Sequence, residues 1–508
     1  YVTTRTSNFS LGFVGNYISN FTRTRQTDFT RTRSSVFDYV GNYVGDFTGN
    51  YSRLLSFAGN FTGNYSRTTT DTTLLHTLDN PNPYGTSAND TFGYSVAIDG
   101  NYAIVSAYLE DDAGGTNSGK AYIFNVTTGA LVHTLDNPNA YNISQNDNFG
   151  GSVSISGNYA IVGASNEDDA GQGSIAGTTS GKAYIFNVTT GALVHTLDNP
   201  NAYTTSAGDR FGDSVAISGN YAIVGAYGED DAGGNFSGKA YIFNVTTGAL
   251  VHTLNNPNAY DTSAGDYFGD SVAISGNYAI VGASGEDDAG GTASGKAYIY
   301  NVTTGALVHT LNNPNGSQSD QFGWSLAISG NYAIVSAAFD DTNDFDSGKA
   351  YIFNVTTGAL VHTLDNPNAY GTSFQDQFGF SVSISDNYAI VGARLEDDAG
   401  GILSGKAYIY NVTTGALLYT VDNPNAYGTS EQDYFSDGNN AVAISGNYFI
   451  VGAGREDDAG GSDSGKAYIF SVFSPSDSYT RTSTRNSLRT STYTRNSTQD
   501  FLGNYTRT

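Results

Sequence analysis

The sequence contains no cysteine among its 508 residues, so disulfides, thiolate metal sites and cysteine nucleophiles are excluded. Basic residues are scarce, since Lys and Arg number 22 against 48 Asp and Glu. The resulting net charge of −26 disfavours nucleic acid or an anionic membrane surface as a partner. No apolar run approaches the roughly 20 residues that a membrane-spanning helix requires. We therefore expect a soluble protein without a membrane span, whose composition suits an extracellular setting.

The negative charge is confined to the middle of the chain. Residues 1–73 and 474–508 each carry +3, which leaves −32 for residues 74–473. The ends are rich in aromatic residues and in Arg, Ser and Thr, whereas the middle is repetitive and acidic. The sequence therefore predicts three domains, which are an N-terminal arm (1–73), a repetitive body (74–473) and a C-terminal arm (474–508).

The tripeptide Gly-Lys-Ala marks seven repeats of the body with a period of about 57 residues, and its lysines are Lys120, Lys182, Lys239, Lys296, Lys349, Lys406 and Lys466. A period that varies only through loop lengths indicates a repeat architecture. Each repeat holds four runs rich in Val, Ile, Tyr and Phe. In the third repeat they are FGDSVAIS from Phe211, NYAIVGA from Asn220, GKAYIFNV from Gly238 and ALVHTL from Ala249.

Two tight turns connect these runs. Gly219 and Asn220 both tolerate positive φ, which predicts a two-residue hairpin between the first and second runs. Gly248 suits the left-handed position of a hairpin between the third and fourth. Each repeat is therefore predicted to be a four-stranded antiparallel meander. Its second strand is apolar or small on both faces, and radial packing of the sheets in a β-propeller covers both.

The two ends of the body complement each other. The last set of first, second and third runs lies within about residues 441–473 and has no fourth run, whereas an isolated fourth run stands at residues 74–78. We predict an all-β, seven-bladed propeller of four-stranded blades, in which this outer strand closes the ring and leaves no unpaired edge. The predicted closure residues are Leu74, Leu75, Leu78, Tyr468 and Phe470. An open β-solenoid is the alternative, but it does not require complementary end fragments.

The string FGDSVAISGNYAIVGAYGEDDAGG, followed by SGKAYIF, resembles the FG-GAP repeat, the blade unit of integrin α-chain-like propellers and of many bacterial and algal surface proteins. The matching Phe-Gly pairs begin at Phe92, Phe149, Phe211, Phe268, Phe322 and Phe378. The resemblance implies a propeller but no particular activity, since one fold hosts many functions. The calcium loop that many family members carry between the first two strands is replaced here by a short turn. The seventh repeat departs further, with YFSDGNNAVAIS from Tyr434 where the Phe-Gly pair is expected.

An acidic EDDAGG motif lies between the second and third runs of most repeats. Carboxylates on Gly-rich loops suit a hard cation such as Ca²⁺, and the candidate ligands are Asp111, Asp112, Asp168, Asp169, Asp230 and Asp231. The alternative is structural, with the aspartates capping the turn and facing the lysine eight to ten residues further on. We favour that alternative and expect no obligatory cofactor.

Histidine occupies one repeated position of the fourth run, at His76, His133, His195, His252, His309 and His362, and Tyr419 takes the seventh. Catalytic centres are rarely copied into every blade, so we expect these side chains to pack rather than react. No Gly-x-Ser-x-Gly, His-Glu-x-x-His or Gly-x-Gly-x-x-Gly motif is present, and no blade carries a unique set of polar residues. We therefore expect the protein not to be an enzyme.

Glycosylation sequons occur in both the body and the ends. Six open the NVTTG turn, whose structural role explains their repetition, whereas the candidate glycosylation sites are Asn20, Asn50, Asn60, Asn64 and Asn504.

Aromatic residues recur at short intervals along both arms, often every fourth position: Tyr17, Phe21, Phe29, Tyr43, Phe47, Tyr51, Phe61, Tyr65, Tyr493, Phe501 and Tyr505. Side chains four apart share one face of an extended strand, so we predict β-type arms rather than a disordered linker. The arms resemble low-complexity segments of fibre-like proteins of marine viruses and bacteria. Such strands are able to leave their own subunit and add to a neighbour.

The sequence leads to two hypotheses of function. The first is a structural subunit of an extracellular filament or fibre, from a microbial surface or a virus appendage, that polymerises with itself through its arms, since head-to-tail contacts generate open filaments. The alternative is a monomeric adhesin or glycan-binding propeller that its arms tether and whose partners are cell-surface glycans.

Overall fold

The computed structural model describes two parts of the chain. Within residues 72–472 it describes all positions except 83–86, 112–114, 139–144, 169–178, 201–207, 231–233, 259–263, 289–290, 368–372, 398–400, 425–431, 439 and 458–460. Outside that range it describes the backbone of six strands. The chain divides into two compact units, residues 72–472 and residues 1–71 together with 473–508. The predicted domain boundaries themselves stay a prediction.

Five strands of the unit formed by the chain ends lie before residue 67: β1 (Phe29–Thr32), β2 (Asp38–Val40), β3 (Tyr43–Val44), β4 (Phe47–Asn50) and β5 (Ser56–Ser66). Their pairings with one another are parallel, and each partner lies 18 residues further along the chain: Phe29 with Phe47, Asp38 with Ser56, Tyr43 with Phe61, and Phe47 with Tyr65. The sequence follows the same interval, with VGNYVGDF from Val40 and AGNFTGNY from Ala58. A constant offset means that successive 18-residue stretches stack in register, as the coils of a β-solenoid do.

The unit of residues 72–472 begins with β6 (Thr73–Asp79) and continues as seven blades. Blade 1 contains β7 (Val96–Asp99), β8 (Tyr102–Ala107), β9 (Lys120–Asn125) and β10 (Leu131–Asp136). Blade 2 contains β11 (Val153–Ser156), β12 (Tyr159–Ala164), β13 (Lys182–Asn187) and β14 (Leu193–Asp198). Blade 3 contains β15 (Val215–Ser218), β16 (Tyr221–Ala226), β17 (Lys239–Asn244) and β18 (Leu250–Asn255).

The remaining blades follow the same plan. Blade 4 contains β19 (Phe268–Ser275), β20 (Tyr278–Ala283), β21 (Lys296–Asn301) and β22 (Leu307–Asn312). Blade 5 contains β23 (Leu326–Ser329), β24 (Tyr332–Ala337), β25 (Lys349–Asn354) and β26 (Leu360–Asp365). Blade 6 contains β27 (Phe378–Ser385), β28 (Tyr388–Ala393), β29 (Lys406–Asn411) and β30 (Leu417–Asp422). Blade 7 contains β31 (Val442–Ser445), β32 (Tyr448–Ala453), β33 (Lys466–Ser471) and the early strand β6.

The blades surround a central channel. Every blade is an antiparallel sheet whose strands lie in chain order, apart from β6 in blade 7. The first strand of each blade contacts the first strand of the next, and β31 of blade 7 contacts β7 of blade 1, so the ring is closed. The predicted seven-bladed propeller is therefore confirmed.

The ring closes through strand β6. It pairs antiparallel with β33, with Leu74 opposite Phe470 and Leu78 opposite Ala467, as the complementary end fragments predicted. Leu78 is 3% exposed, whereas Leu74 is 39% and Leu75 37% exposed, so Leu78 is the leucine of this strand that enters the core. Tyr468 and Phe470 are buried on the partner strand.

The Phe-Gly pair stands just before the regular part of the first strand. In blade 3 pairing begins at Val215 and Gly212 adopts a φ of +93°, whereas in blades 4 and 6 the phenylalanine pairs with the end of the second strand before the register shifts. Phe211 is fully buried, with its ring 5.8 Å from that of Tyr241 and 5.9 Å from that of Phe243. This aromatic cluster explains why the motif recurs.

Blade 7 keeps the buried phenylalanine despite its divergent sequence. Phe435 is fully buried and its ring lies 6.0 Å from Tyr468. Ser436 takes the place of the glycine at a φ of +75°, and its hydroxyl donates a hydrogen bond to the Lys406 carbonyl, 3.0 Å away. The expected departure at Tyr434 is therefore a Phe-Ser pair in the Phe-Gly position.

Neighbouring blades pack through seven hydrophobic clusters in the described part of the chain, one for each interface. The second strands are buried along nearly their whole length, as Ala222, Ile223 and Val224 illustrate, because each face meets a different neighbour. The burial pattern follows the prediction that both faces of this strand are covered.

The repeated histidine joins each blade to the next. The Nε2 atom of His195 in blade 2 donates a hydrogen bond to the Thr246 carbonyl of blade 3, 3.0 Å away, and its ring packs against Gly248. The other five histidines bond to threonine carbonyls in the same way: His76 to Thr127, His133 to Thr189, His252 to Thr303, His309 to Thr356, and His362 to Thr413. We call this contact the histidine clasp.

The exception at Tyr419 has a structural cause. Tyr419 lies in blade 6, and blade 7 has no covalent turn between its third and fourth strands because they come from opposite ends of the sequence. A histidine there would find no Val-Thr-Thr-Gly turn. Tyr419 is instead 8% exposed and belongs to one buried cluster with Phe449, which stands where the other blades have alanine. Phe449 stacks on Phe470 at 4.8 Å.

The last described strand, β34 (Ser478–Arg485), pairs antiparallel with β5, from Ser478 opposite Ser66 to Arg485 opposite Gly59. Both predicted arms thus contain β-strands, and these strands pair with one another within one chain.

The histidine clasp predicts that adding a side chain at the turn glycine lowers the stability of the fold. A Cβ at residue 248 would lie 2.8 Å from the His195 ring, and Gly248 has a φ of +69°. Gly219 has a φ of +55° but no atom within 4 Å of such a Cβ. We expect Gly219→Ala to cost about 1 kcal/mol of stability from the left-handed backbone alone and Gly248→Ala about 1–3 kcal/mol more, as measured by urea denaturation.

A double-mutant cycle provides the control. In the His195→Ala background the two glycine substitutions should become similar in cost, because the clashing ring is gone. Equal costs for both glycines in the presence of His195 would contradict the clasp.

Candidate functional site: the channel mouth

Two positions of the repeat differ between blades although the strands beside them are nearly constant. GKAYI recurs in all seven blades and NYAIV in six. The residue after the Phe-Gly position is instead Tyr94, Gly151, Asp213, Asp270, Trp324, Phe380 or Asp437. The residue that follows the second strand is Tyr108, Ser165, Tyr227, Ser284, Ala338, Arg394 or Gly454.

The fold brings these two positions to one place. One precedes the first strand and the other follows the second, and adjacent antiparallel strands place these two ends side by side. Because the first strands ring the channel, the fourteen residues surround one opening of it. We call these fourteen residues, together with Arg210, Phe339, Gln377, Tyr434 and Arg455 beside them, the channel mouth.

Aromatic side chains meet around the mouth. The Trp324 ring lies 5.3 Å from Phe339 of its own blade and 5.4 Å from Phe380 of the next. Tyr94 and Tyr108 of blade 1 lie 4.2 Å apart. Trp324 and Tyr94 are half-buried.

A charged group continues the ring of contacts through blades 6 and 7. The Asp437 carboxylate accepts from Arg394 at 2.8 Å and pairs with Arg455 at 3.2 Å. The Arg394 guanidinium lies 3.5 Å from the centroid of the Phe380 ring, and that of Arg455 lies 4.9 Å from the Tyr434 ring, which are cation–π distances.

Burial shifts the titration of the remaining acids. It raises the pKa of Asp270 to about 8 although the Ser284 hydroxyl donates to this carboxyl, so Asp270 is largely protonated at neutral pH. Burial also raises the pKa of Asp213, which Arg210 opposes. Burial raises the pKa of Tyr94 as well, and the charges of Tyr108, Asp213 and Asp437 add to that shift. Blades 1, 3 and 7 therefore interact across the mouth.

The acidic loops have a different role. Glu110 is fully buried and accepts a hydrogen bond from the Tyr122 hydroxyl at 2.6 Å. Equivalent pairs join Glu167 to Tyr184 at 2.5 Å and Glu396 to Tyr408 at 2.6 Å. Burial raises the pKa of Glu110, Glu167 and Glu396 to about 8, against the lowering effect of these tyrosine hydrogen bonds.

The carboxylate that pairs with the lysine of the Gly-Lys-Ala motif depends on the last residue of the fourth strand. Where that residue is Asp, lysine pairs with it: Lys120–Asp136, Lys182–Asp198, Lys349–Asp365, Lys406–Asp422 and Lys466–Asp79. Where it is Asn255 or Asn312, the lysine bonds the buried glutamate instead: Lys239–Glu229 at 2.5 Å and Lys296–Glu286 at 2.6 Å. The predicted partner, an aspartate of the EDDAGG motif, is replaced in these pairs by a glutamate of the motif or by the fourth-strand aspartate.

The aspartates proposed as Ca²⁺ ligands cap their loops. Asp111 Oδ1 accepts from the Asn117 amide at 2.9 Å, Asp168 from Thr179 at 3.1 Å and Asp230 from Phe236 at 2.9 Å. The other three candidates, Asp112, Asp169 and Asp231, lie outside the described residues. Among the residues that the structure does describe, no group of three or more His, Asp or Glu side chains is arranged to hold a metal ion.

The predicted arm residues divide between described strands and the rest of the chain. Phe29, Tyr43, Phe47, Phe61 and Tyr65 lie on β1, β3, β4 and β5, as do the sequon residues Asn50, Asn60 and Asn64. Outside the described residues lie Tyr17, Phe21, Tyr51, Tyr493, Phe501, Tyr505, Asn20 and Asn504. In the NVTTG turn, Asn125 Oδ1 accepts from the amides of Thr127 and Thr128 at 3.0 and 2.9 Å, the turn-forming role expected of it.

Sequence reasoning missed the channel mouth. It searched for one blade with unusual polar residues, whereas the unusual residues are spread over the blades, one or two in each. The signal was present as the variable residue after Phe-Gly in an otherwise repeated string. Finding it required comparing each repeat position across blades.

Seven radially packed, four-stranded blades define a β-propeller. A profile of the FG-GAP repeat matches residues 83–124, 139–186, 202–243, 258–300, 307–353, 369–410 and 426–470, more than half of the chain. The chain belongs to the FG-GAP repeat family. Its propellers are typical of extracellular, non-enzymatic proteins and mediate protein interactions.

Among curated proteins, none matches the sequence. Across the described residues, no helix has the length and hydrophobicity of a membrane span.

The buried glutamates predict that the propeller loses stability as the pH rises. A folded-state pKa of about 8 against an ordinary 4.5 means that the folded chain holds the proton more tightly. The bound proton therefore contributes to the free energy of unfolding. This contribution is complete below pH 4.5 and is lost as the pH rises through 8, by at most about 1.4 kcal/mol per pH unit for each such group. Urea denaturation at pH 6 and pH 9 should show this loss, and Glu110→Gln should reduce it.

The two alternative partners of the lysine provide a matched test. Asp136→Asn should free Lys120 to bond Glu110, as Lys239 bonds Glu229 in blade 3, and so lower the pKa of Glu110. Selective ¹³C labelling of the seven glutamates in the sequence makes the titration directly visible by NMR. A Glu110 that titrates near 4.5 in the wild type would refute both expectations.

Proposed function

We propose that the protein is an extracellular adhesive propeller that binds its ligand at the channel mouth. The observation that supports this is the distribution of differences between blades. Strand, turn and clasp residues are copied almost without change, and residues that differ between blades, among them the fourteen of the channel mouth, lie at the end of the blades opposite the two repeated turns. Repetition serves the fold, whereas an asymmetric ligand requires an asymmetric surface.

The chemistry of the mouth supports binding rather than catalysis. Half-buried aromatic rings and oriented charged groups, such as Trp324 and the Arg394–Asp437 pair, are typical of ligand sites. Arg394 is held by Asp437, by Gln377 at 2.6 Å and by the Phe380 ring, so its geometry is set before any ligand arrives.

Adhesion is tested with labelled full-length protein on a panel of intact bacterial, algal and animal cells. We expect saturable binding to at least one cell type and about a tenfold loss of affinity in Trp324→Ala, because a ring worth about 1.4 kcal/mol is removed. Leu250→Ala, at a residue 44% exposed on an outer strand, is the control and should bind as wild type. Binding that Trp324→Ala leaves unchanged would refute the site.

We propose as a second function that copies assemble into an extracellular filament through the chain ends. The observation in its favour is the constant 18-residue offset of the parallel strands β1 to β5. A stack of coils can be extended by a coil from another chain, and because β34 already pairs with β5, we expect this addition at the β1 end of the stack. A head-to-tail contact that does not close produces a filament.

Assembly is tested by negative-stain electron microscopy of the full chain and of a variant lacking residues 1–71 and 473–508. We expect filaments from the full chain and isolated particles from the shortened one. Trp324→Ala, with both ends intact, is the control and should still form filaments. Filaments from the shortened chain would contradict assembly through the ends.

A further inference from the structure

The ring of side chains around the channel mouth has a gap in blade 2. At the position after Phe-Gly, six blades carry Tyr, Asp, Trp or Phe, and blade 2 carries Gly151. A Cβ at this residue would have the Asn148 carbonyl oxygen, 3.4 Å away, as its nearest contact, which is an ordinary distance. Gly151 is also not among the glycines of positive φ. Neither the backbone nor its neighbours therefore require glycine, and its effect is to leave space.

The two sides of the gap differ in chemistry. Tyr94 of blade 1 provides a half-buried aromatic ring, which contacts that of Tyr108 at a tilt of 37°, and Asp213 of blade 3 provides a carboxyl group that also accepts from Ser165. Sugars are recognised by this combination, because their C–H faces pack on aromatic rings while their hydroxyl groups bond to carboxyl oxygens.

The charge of the mouth indicates a ligand without net charge. Each ionised aspartate of the mouth faces an arginine, Asp213 with Arg210 and Asp437 with Arg394 and Arg455, and Asp270 is largely protonated. At longer range, the charge of −32 over residues 74–473 repels polyanions such as sulfated or uronate-rich polymers. A cationic peptide would be attracted at long range but would meet the arginines at the mouth.

We propose that the gap at Gly151 binds a neutral sugar residue of a cell-surface glycan, packed on Tyr94 and hydrogen-bonded to Asp213. This assignment rests on the proposed adhesive function and names the ligand class of the same site. The gap fixes where the sugar enters, and Trp324 on the far side of the ring contacts further sugar units of the glycan.

The proposal is tested with the full-length protein on a printed array of neutral, sialylated and sulfated oligosaccharides, followed by calorimetry with the neutral oligosaccharide bound best. We expect binding to neutral glycans and at least about a tenfold weaker affinity for Gly151→Tyr, which fills the gap without removing a contact. Ala130→Tyr adds the same ring at the opposite end of the strands and should bind as wild type. Asp213→Asn, nearly identical in shape, should also weaken binding, and circular dichroism checks that each variant is folded.

Several results would overturn the sugar assignment. Binding to charged glycans alone, binding to no glycan, or an unchanged affinity in folded Gly151→Tyr and Asp213→Asn would each do so. A third outcome separates the two proposals. If Trp324→Ala abolishes cell binding but periodate oxidation of the cell glycans does not, the sugar assignment is overturned and the adhesive function is kept. Cell binding that neither Trp324→Ala nor Gly151→Tyr reduces would overturn both.

Discussion

Every blade of this propeller depends on burial against its two neighbours. The second and third strands are apolar on both faces, so a blade with only one neighbour would expose one of them, and the ring removes that exposure only when it is complete. This is why β6 matters beyond its seven residues. By pairing with β33 it joins the first and last parts of the propeller sequence in one sheet and covers the final interface. The free energy of that interface belongs to a contact between residues nearly 400 positions apart.

The interface between blades 6 and 7 differs from the other six in its residues. Six interfaces are joined by the histidine clasp, in which a ring fills the space over a turn glycine. The interface between blades 6 and 7 lacks that turn, and Tyr419 with Phe449 fills it with buried aromatic surface. Tyr419 and Phe449 depart from the repeat consensus because they pack at the interface of blade 6 with blade 7, whose strands come from opposite ends of the sequence. The partner of each lysine likewise follows the Asp or Asn that ends the fourth strand.

Sequence patterns predicted the fold in considerable detail and the candidate site hardly at all. The seven blades, the two hairpin turns at Gly219 and Gly248, and the closing strand all follow from local rules about hydrophobic alternation and positive φ. The channel mouth does not. Asp213 and Tyr94 are over a hundred residues apart, and the sequence gives no reason to consider them together. The arms were predicted as β-type strands, and the described strands β1 to β5 pair with one another at an 18-residue interval that the four-residue aromatic spacing does not reveal.

What the sequence by itself determined is the repeat and everything that a repeat enforces: strand lengths, turn types, buried faces and the need for closure, because these depend on residues within one blade and its neighbours. Only the tertiary structure decided which of the non-repeated residues act together. Seven-fold packing around an axis brings one residue from each blade to a common opening, so small local differences between Tyr94, Gly151 and Asp213 add up to one asymmetric surface. Its arrangement depends on distances through space, which the order of residues along the chain does not contain.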